Sequence, residues 1–259
     1  MSVAKNMPVG QAWFITPATA DQPCETVQTC AADVVVLDIE DSVAPSLKQI
    51  ARERAERLFA QQAAGACALG IRINALTTVE GAQDLIALAQ YAVKPPVILV
   101  PKVESARDVE IVAGCLDTAE YTPQIYALIE TPRAVDTLSS IVQAERLSGL
   151  FFGAGDYAKL LGCEVSWEAL LDARSRLAAG AAVAGLPALD APFFDTQDLA
   201  GLRREAEKGR ALGFSGKVAV HPRQLPVITT VFQPCGGQTA QARRHGGSCR
   251  PGMCVRSLR

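Results

Sequence analysis

Histidine and aromatic residues are scarce in this chain. It has two histidines, His221 and His245, in 259 residues, and Phe, Trp and Tyr together make up 5%. So few imidazoles argue against a zinc centre, and the eight cysteines do not replace them, because no C-x-x-C pair occurs and their spacing is irregular. Cys24, Cys30, Cys67, Cys115 and Cys163 sit among Ala, Val and Leu, which predicts reduced, mostly buried thiols in a cytosolic protein. A surplus of charge is also missing. The formal net charge is −2, giving no electrostatic footprint for nucleic acid or an anionic membrane. No apolar run reaches the ~18 residues of a membrane span. The opening "MSVAKNMPVGQAWFITP" has neither the apolar core nor the cleavage site of a secretory leader. A cytoplasmic protein with no membrane partner is the expectation.

What the chain does contain is one theme, repeated. Short apolar runs rich in β-branched or aromatic residues recur at 12–17, 33–41, 66–74, 96–103, 125–132, 149–156, 187–193 and 217–222. Runs of this kind are buried on both faces of a parallel sheet. Amphipathic stretches of helical length lie between them. In "PSLKQIARERAERLFAQQ", Leu47, Ile50, Ala51, Ala55 and Leu58 fall on one face. "SARDVEIVAGCL" is a second such stretch, and "DTQDLAGLRREAEKGRALG" a third, closed by Gly213 as a helix C-cap. Strands alternating with helices up to residue 232 predict an α/β fold, a (β/α)8 TIM barrel. The rival, a doubly wound open sheet, would carry a Gly-rich phosphate turn after the first strand, and none is present. Residues 1–232 read as the barrel domain and 233–259 as a short irregular C-terminal tail.

The run "VVVLDIEDSV" ends in Asp38, Glu40 and Asp41. Three carboxylates at the rim of a core repel one another unless something positive sits with them. In a barrel, the C-terminal ends of the strands carry the functional groups. Those ends deliver Arg72 and Asn74, Lys102 and Glu104, Glu130, Asp156, Asp190 and His221 to the same rim. Acids outnumber cations, and hard oxygen ligands without imidazole or thiolate suit Mg2+ or Mn2+. Glu130 and Asp156 are the expected direct ligands, with Glu40 and Asp41 holding bound waters. Arg72 is expected to take a substrate carboxylate through its bidentate fork. Its plainer reading is an ion pair with Asp38 or Glu40. For Glu40 and Asp41 the plainer reading is charge at a helix N-terminus before Pro45. His221, before Pro222, is expected to organise the eighth loop.

The segments "VVVLDIEDSVAPSLKQIAR", "IRIN", "VPKVES", "LIETPRAV", "FFGAGDYAKLLG" and "GFSGKVAVHPRQLPVI", taken together and in this order, resemble the citrate lyase β-subunit-like, or HpcH/HpaI aldolase, superfamily. The resemblance runs from Trp13 to Phe232 and is to the CoA-thioester lyases of that group. It implies Mg2+ on Glu130 and Asp156, substrate contacts from Arg72, Glu130, Gly155 and Asp156, and a catalytic site lined by Arg72, Glu40 and Asp41. It also implies reversible cleavage of a citryl-, malyl- or citramalyl-CoA type 3-hydroxyacyl-CoA to acetyl-CoA and a 2-keto acid. A homo-oligomer, a trimer or a multiple of trimers, is implied as well. Apolar neighbours Ala154, Ala191 and Phe193 favour pyruvate, hence citramalyl-CoA. The chain departs from the pattern twice. From Pro17 to Asp33 it has no Arg or Lys where relatives carry a basic CoA-binding segment, so Lys48 and Arg52 are the expected substitutes. After Phe232 the sequence lacks helical apolar spacing, where relatives continue into a segment covering a neighbouring site, and a disordered or frame-shifted tail is expected. Two other functions stay open: a metal aldolase acting on a free 2-keto-4-hydroxy acid, and a non-catalytic subunit of a lyase complex.

Overall fold

The computed structural model describes residues 11–20, 31–62 and 67–233. Its frame is a ring of eight parallel strands in sequence order: β1 (Ala12–Pro17), β2 (Val34–Asp38), β3 (Ala68–Arg72), β4 (Val97–Val100), β5 (Gln124–Ile129), β6 (Leu147–Phe152), β7 (Ala188–Asp190) and β8 (Gly216–Ala219). The ring closes where β1 pairs with β8, Trp13 standing opposite Val218. All eight expected strands are present, but most end sooner than their apolar runs suggest. Glu40, Asn74, Lys102 and His221 therefore lie past the last paired residues, in the loops above the ring.

Helices surround the ring: α1 (Lys48–Gln61), α2 (Val79–Gln90), α3 (Ala106–Leu116), the short α4 (Pro132–Asp136) and α5 (Leu138–Ile141), α6 (Ala154–Leu161), α7 (Leu171–Ala184), α8 (Leu199–Leu212) and α9 (Leu225–Phe232). Their starts follow side-chain chemistry. Ser105 and Asp108 form a reciprocal capping box at α3, and the Asp198 carboxylate accepts from the Gly201 N–H at α8. Gly213 ends α8 at φ +111°, as its position predicts. In α1 the buried face is Ala51, Arg52, Ala55, Leu58 and Phe59, while Leu47 and Ile50 are exposed. The expected stripe was therefore rotated, because a paired arginine fills a place that hydrophobicity alone gives to an aliphatic.

Side-chain alternation divides the core in two. Val35, Leu37, Leu69 and Ile71 pack outward under the helices, whereas Val34, Val36, Leu99 and Leu128 point to the barrel axis. Inside the ring, Trp13, Tyr126 and Phe151 meet edge to face, with centroids 4.8 Å apart for Trp13–Tyr126 and Trp13–Phe151 and 5.7 Å for Tyr126–Phe151. This trio packs the interior, and Phe151 also forms part of the floor of the cavity above it. Cys67 and Cys163 are half-buried and Cys115 is exposed. Burial was thus over-predicted for these thiols, which sit at element ends rather than in the core. Cys24 and Cys30, part of the segment without Arg or Lys, and everything after Gln233 lie outside the described residues.

Candidate active site

The same alternation that points Val34 and Val36 inward carries Asp38 inward, and in β3 it does so for Arg72. The two are register partners on neighbouring strands. Arg72 Nε and Nη2 donate to Asp38 Oδ1 and Oδ2, both at 2.7 Å. Asp38 also accepts from the backbone N–H groups of Glu40 and Ser42 and from the Ser42 hydroxyl. Burial alone would raise the Asp38 carboxyl, but Arg72 outweighs it and holds the group below the usual carboxylate range. The fork expected to face substrate is therefore occupied by Asp38. What Arg72 still directs elsewhere is Nη1, 3.2 Å from Glu40 Oε2.

Glu40, Asp41, Glu130 and Asp156 gather beside this pair. Glu40 Oε1 accepts from Lys102 Nζ at 2.7 Å, and its buried Oε2 accepts no hydrogen bond. Burial raises the Glu40 carboxyl above its ordinary value despite both cations. Glu130 continues the inward face of Tyr126 and Leu128 and is buried, with Oε1 accepting from the Lys102 N–H at 2.9 Å. Burial, then the charges of Glu40 and Asp156, push its carboxyl up to about 8. Asp156 stands in the first turn of α6 instead of at the end of β6. Asp41 is exposed and within 4.0 Å of Arg72 Nη1.

A cavity of about 260 Å³ opens here. Asp41, Arg72, Glu130 and Asp156 line its mouth, and Ile15, Val36, Leu99, Leu128, Phe151 and Val218 its lower walls. Gly155 lines it as well, beside Pro192 and Phe194. Ala154 faces the cavity as expected, but Ala191 and Phe193 pack in the shell under the helices, because β7 ends at Asp190 and strand alternation no longer governs the residues after it. Gly153 is a residue the sequence reading missed. A Cβ there would lie 2.3 Å from Glu130 Cβ and 2.7 Å from Glu130 Oε2, so only glycine lets α6 start this close to the carboxylate. Its one signal is its place at the end of "FFG", directly before the helix.

Lys48 and Arg52 do not face this cavity. The Lys48 ammonium donates to Ile39 O, Glu40 O and the Asn74 side chain at 3.0, 2.8 and 2.6 Å, which engages all three of its N–H groups. Arg52 is buried against Asp84 at 2.9 Å, and Asp84 also accepts from the backbone and side chain of Asn74. The expectation that these two hold CoA gains no support from their contacts: their charges are drawn inward by buried acceptors, and they pin the loop that carries Glu40. Asp190 is also displaced from the rim. It faces outward, fully buried, with Arg174 at 2.8 Å and Lys217 at 2.7 Å. His221 organises the eighth loop as expected, its N–H and ring closing a capping box with Gln224 over Pro222.

The donor set fits a hard divalent cation. Glu130, a buried carboxylate with raised proton affinity, faces the opening with Asp41 and Asp156, and Glu40 Oε2 behind them accepts no hydrogen bond. Among the described residues no group of three His, Cys, Asp or Glu side chains is placed to hold a metal ion. A Mg2+ site needs only one or two carboxylates, with waters for the rest of its shell.

Known proteins resemble this chain over most of its length. The HpcH/HpaI aldolase/citrate lyase family profile matches residues 12–222. A (3S)-malyl-CoA thioesterase of Cereibacter sphaeroides is 34% identical over 230 residues, spanning 88% of this chain and 79% of that protein. Human mitochondrial citramalyl-CoA lyase is 29% identical over 242 residues, spanning 86% of this chain and 71% of that one. A solved structure, the citrate lyase β subunit of Mycobacterium tuberculosis complexed with oxaloacetate and magnesium, superimposes with a TM-score of 0.73 at 32% identity, covering 88% of this chain and 99% of that one. A match over nearly the whole barrel, together with a rim of acids around one arginine, places this chain in the HpcH/HpaI aldolase/citrate lyase family, a family of carbon–carbon lyases.

Proposed function

We propose that this chain is a divalent-metal-dependent lyase that cleaves a short 3-hydroxyacyl-CoA to acetyl-CoA and a 2-keto acid. Glu130 and Asp156 would hold Mg2+, or Mn2+, with waters and substrate oxygens completing the shell. Bound there, the ion supplies Lewis-acid polarisation of the substrate's hydroxyl and carboxylate oxygens. The chain's own residues do the rest. The apolar walls exclude water and strengthen every charge interaction inside the cavity. Arg72, oriented by Asp38, presents Nη1 as a fixed positive charge that balances the acid's carboxylate and the enolate formed on cleavage. Asp41, the exposed carboxylate at the mouth, takes the hydroxyl proton as the carbon–carbon bond breaks, and a proton returned to the enolate carbon completes acetyl-CoA. Glu40 orders the water shell. The observation that carries this reading is Glu130, a buried carboxyl aimed into the cavity beside Asp156 and held up to about 8 by burial and like charge. Such a group calls for a cation.

The lower cavity favours pyruvate as the acid. Arg72 is the one cationic side chain in its lining, and the walls beneath are aliphatic or aromatic. They accept a methyl group and offer nothing to a second carboxylate, which points to citramalyl-CoA over malyl- or citryl-CoA. The relative named as a thioesterase sets the competing outcome, hydrolysis of the thioester. Mass spectrometry of products from all three thioesters separates the two: acetyl-CoA with a keto acid supports the lyase, and free CoA with an intact hydroxy acid overturns it. Glu130→Gln and Asp156→Asn should each lower metal-dependent turnover at least ~100-fold while the melting temperature stays near wild type, since rim groups carry little core packing. Full activity in either variant would remove that carboxylate from the metal site.

A further inference from the structure

Lys102 is the one non-glycine residue with positive φ among the described residues, at +52°. A side-chain-bearing residue held there stores backbone strain, and such strain gathers at functional sites. The residue touches the acid cluster with both ends. Its N–H donates to Glu130 Oε1 at 2.9 Å. Its ammonium lies 2.7 Å from Glu40 Oε1, 3.8 Å from Asp156 Oδ2 and 3.9 Å from Asp41 Oδ1. Three carboxylates from one loop and one helix thus converge on one tethered cation. Glu40 Oε2, buried beside it and 3.2 Å from Arg72 Nη1, still accepts no hydrogen bond.

We propose that Lys102 is a positioning residue, a tethered counter-ion whose ammonium fills the acid cluster until an arriving divalent ion displaces it. The inference rests on the metal reading above. Two cations face Glu40, and only one is free to leave. Arg72 is fixed by its two 2.7 Å bonds to Asp38 and is largely buried. Lys102 makes one side-chain hydrogen bond, is 37% exposed, and reaches water by rotating a flexible four-carbon stem. While seated, its charge offsets repulsion between Glu40, Asp41 and Asp156 and keeps them grouped. That same charge opposes a metal ion entering a few ångströms away. Once displaced, the ammonium stands at the lip of the cavity, and Glu40 and Asp41 are left to order the water around the ion. The N–H of Lys102 keeps Glu130 aimed in both situations, which accounts for a single strained residue supplying both contacts.

The test is direct Mn2+ binding by the full chain, followed by electron paramagnetic resonance of the free ion at fixed salt, with melting temperatures taken with and without Mn2+. Lys102→Met removes the charge and keeps the backbone strain. Lys102→Gly removes both while keeping the N–H to Glu130. Both variants should bind Mn2+ at least ~10-fold more tightly than wild type, and each should show a larger rise in melting temperature on Mn2+ addition. Lys102→Arg, which keeps a cation, should bind near the wild-type level. Unchanged or weaker Mn2+ binding in both uncharged variants would overturn the counter-ion role and leave the metal reading standing. Absence of saturable Mn2+ binding in wild type and in every variant would overturn both.

Discussion

Asp38 and Arg72 behave as one unit. Each is buried, and each keeps its charge because of the other. Removing either partner of a buried, bidentate pair leaves an uncompensated charge and typically costs about 3–5 kcal/mol. Arg72→Lys keeps the charge but cannot reproduce the fork, so Asp38 loses one of its two short bonds and the Nη1 position disappears. We expect a lower melting temperature together with a raised KM for the acid and a reduced kcat in steady-state assays. A drop in melting temperature with unchanged kinetics would make Arg72 purely structural. Gly153→Ala tests the neighbouring wall. Its methyl group would press against the Glu130 side chain and must move it, since the backbone on both sides is held in β5 and β6. Mn2+ affinity should fall at least ~10-fold with little change in circular dichroism, and unaltered affinity would show that α6 simply shifts. The rim position of Glu130 and Arg72 was legible from their place at the ends of apolar runs. The occupation of the Arg72 fork was not, because sequence names the charges at a rim without saying which pair stands in register.

Helices and strands meet around a second group of buried charges, away from the cavity. Asp190 on β7 is bridged by Arg174 from α7 and Lys217 from β8, and Lys217 also bonds Glu205 of α8 at 2.8 Å. The Arg174 guanidinium stacks over Trp167 at 4.8 Å and Phe152 at 5.2 Å. These contacts tie two helices to two strands. Asp190→Asn would leave the two buried cations with Glu205 as their one remaining counter-charge and should cost about 3–5 kcal/mol near neutral pH. The pH dependence has a definite sign. Burial raises the Asp190 carboxyl, but Lys217 and Arg174 outweigh it, so the folded value lies below the ordinary one. Its contribution is then fully present above about pH 4, the unfolded carboxyl's range. It fades as pH falls through the lower folded value. Melting temperatures of wild type and variant should converge on acidification below pH 4, and a gap that stayed constant would show that charge is not what Asp190 provides. Sequence reading assigned Asp190 to the rim because a strand buried on both faces carries no polar alternation to say which parity faces the axis. For Arg52 the obstacle was different: an arginine on a buried helix face reads as an error in the stripe until Asp84 appears on the next helix.

At the scale of the whole molecule, the number and order of strands were legible because each strand is a short apolar run separated from the next by a helix, a pattern that few architectures satisfy. Closure itself was not, since nothing in β1 or β8 alone marks them as partners. That closing seam has a consequence for how the chain is made. Trp13 pairs on one side with Val34, close by in sequence, and on the other with Val218, near the far end of the described chain. The first seven strands can each meet a neighbour as they emerge, but β1 keeps an open edge and an exposed tryptophan face until β8 has been synthesised. Contacts of such long sequence separation form late, and unpaired edges invite wrong partners while they wait. A chain stopped short of β8 would therefore lack more than its last strand. It would be a sticky, open sheet, and the acids around Lys102 would have no ring to hold them together.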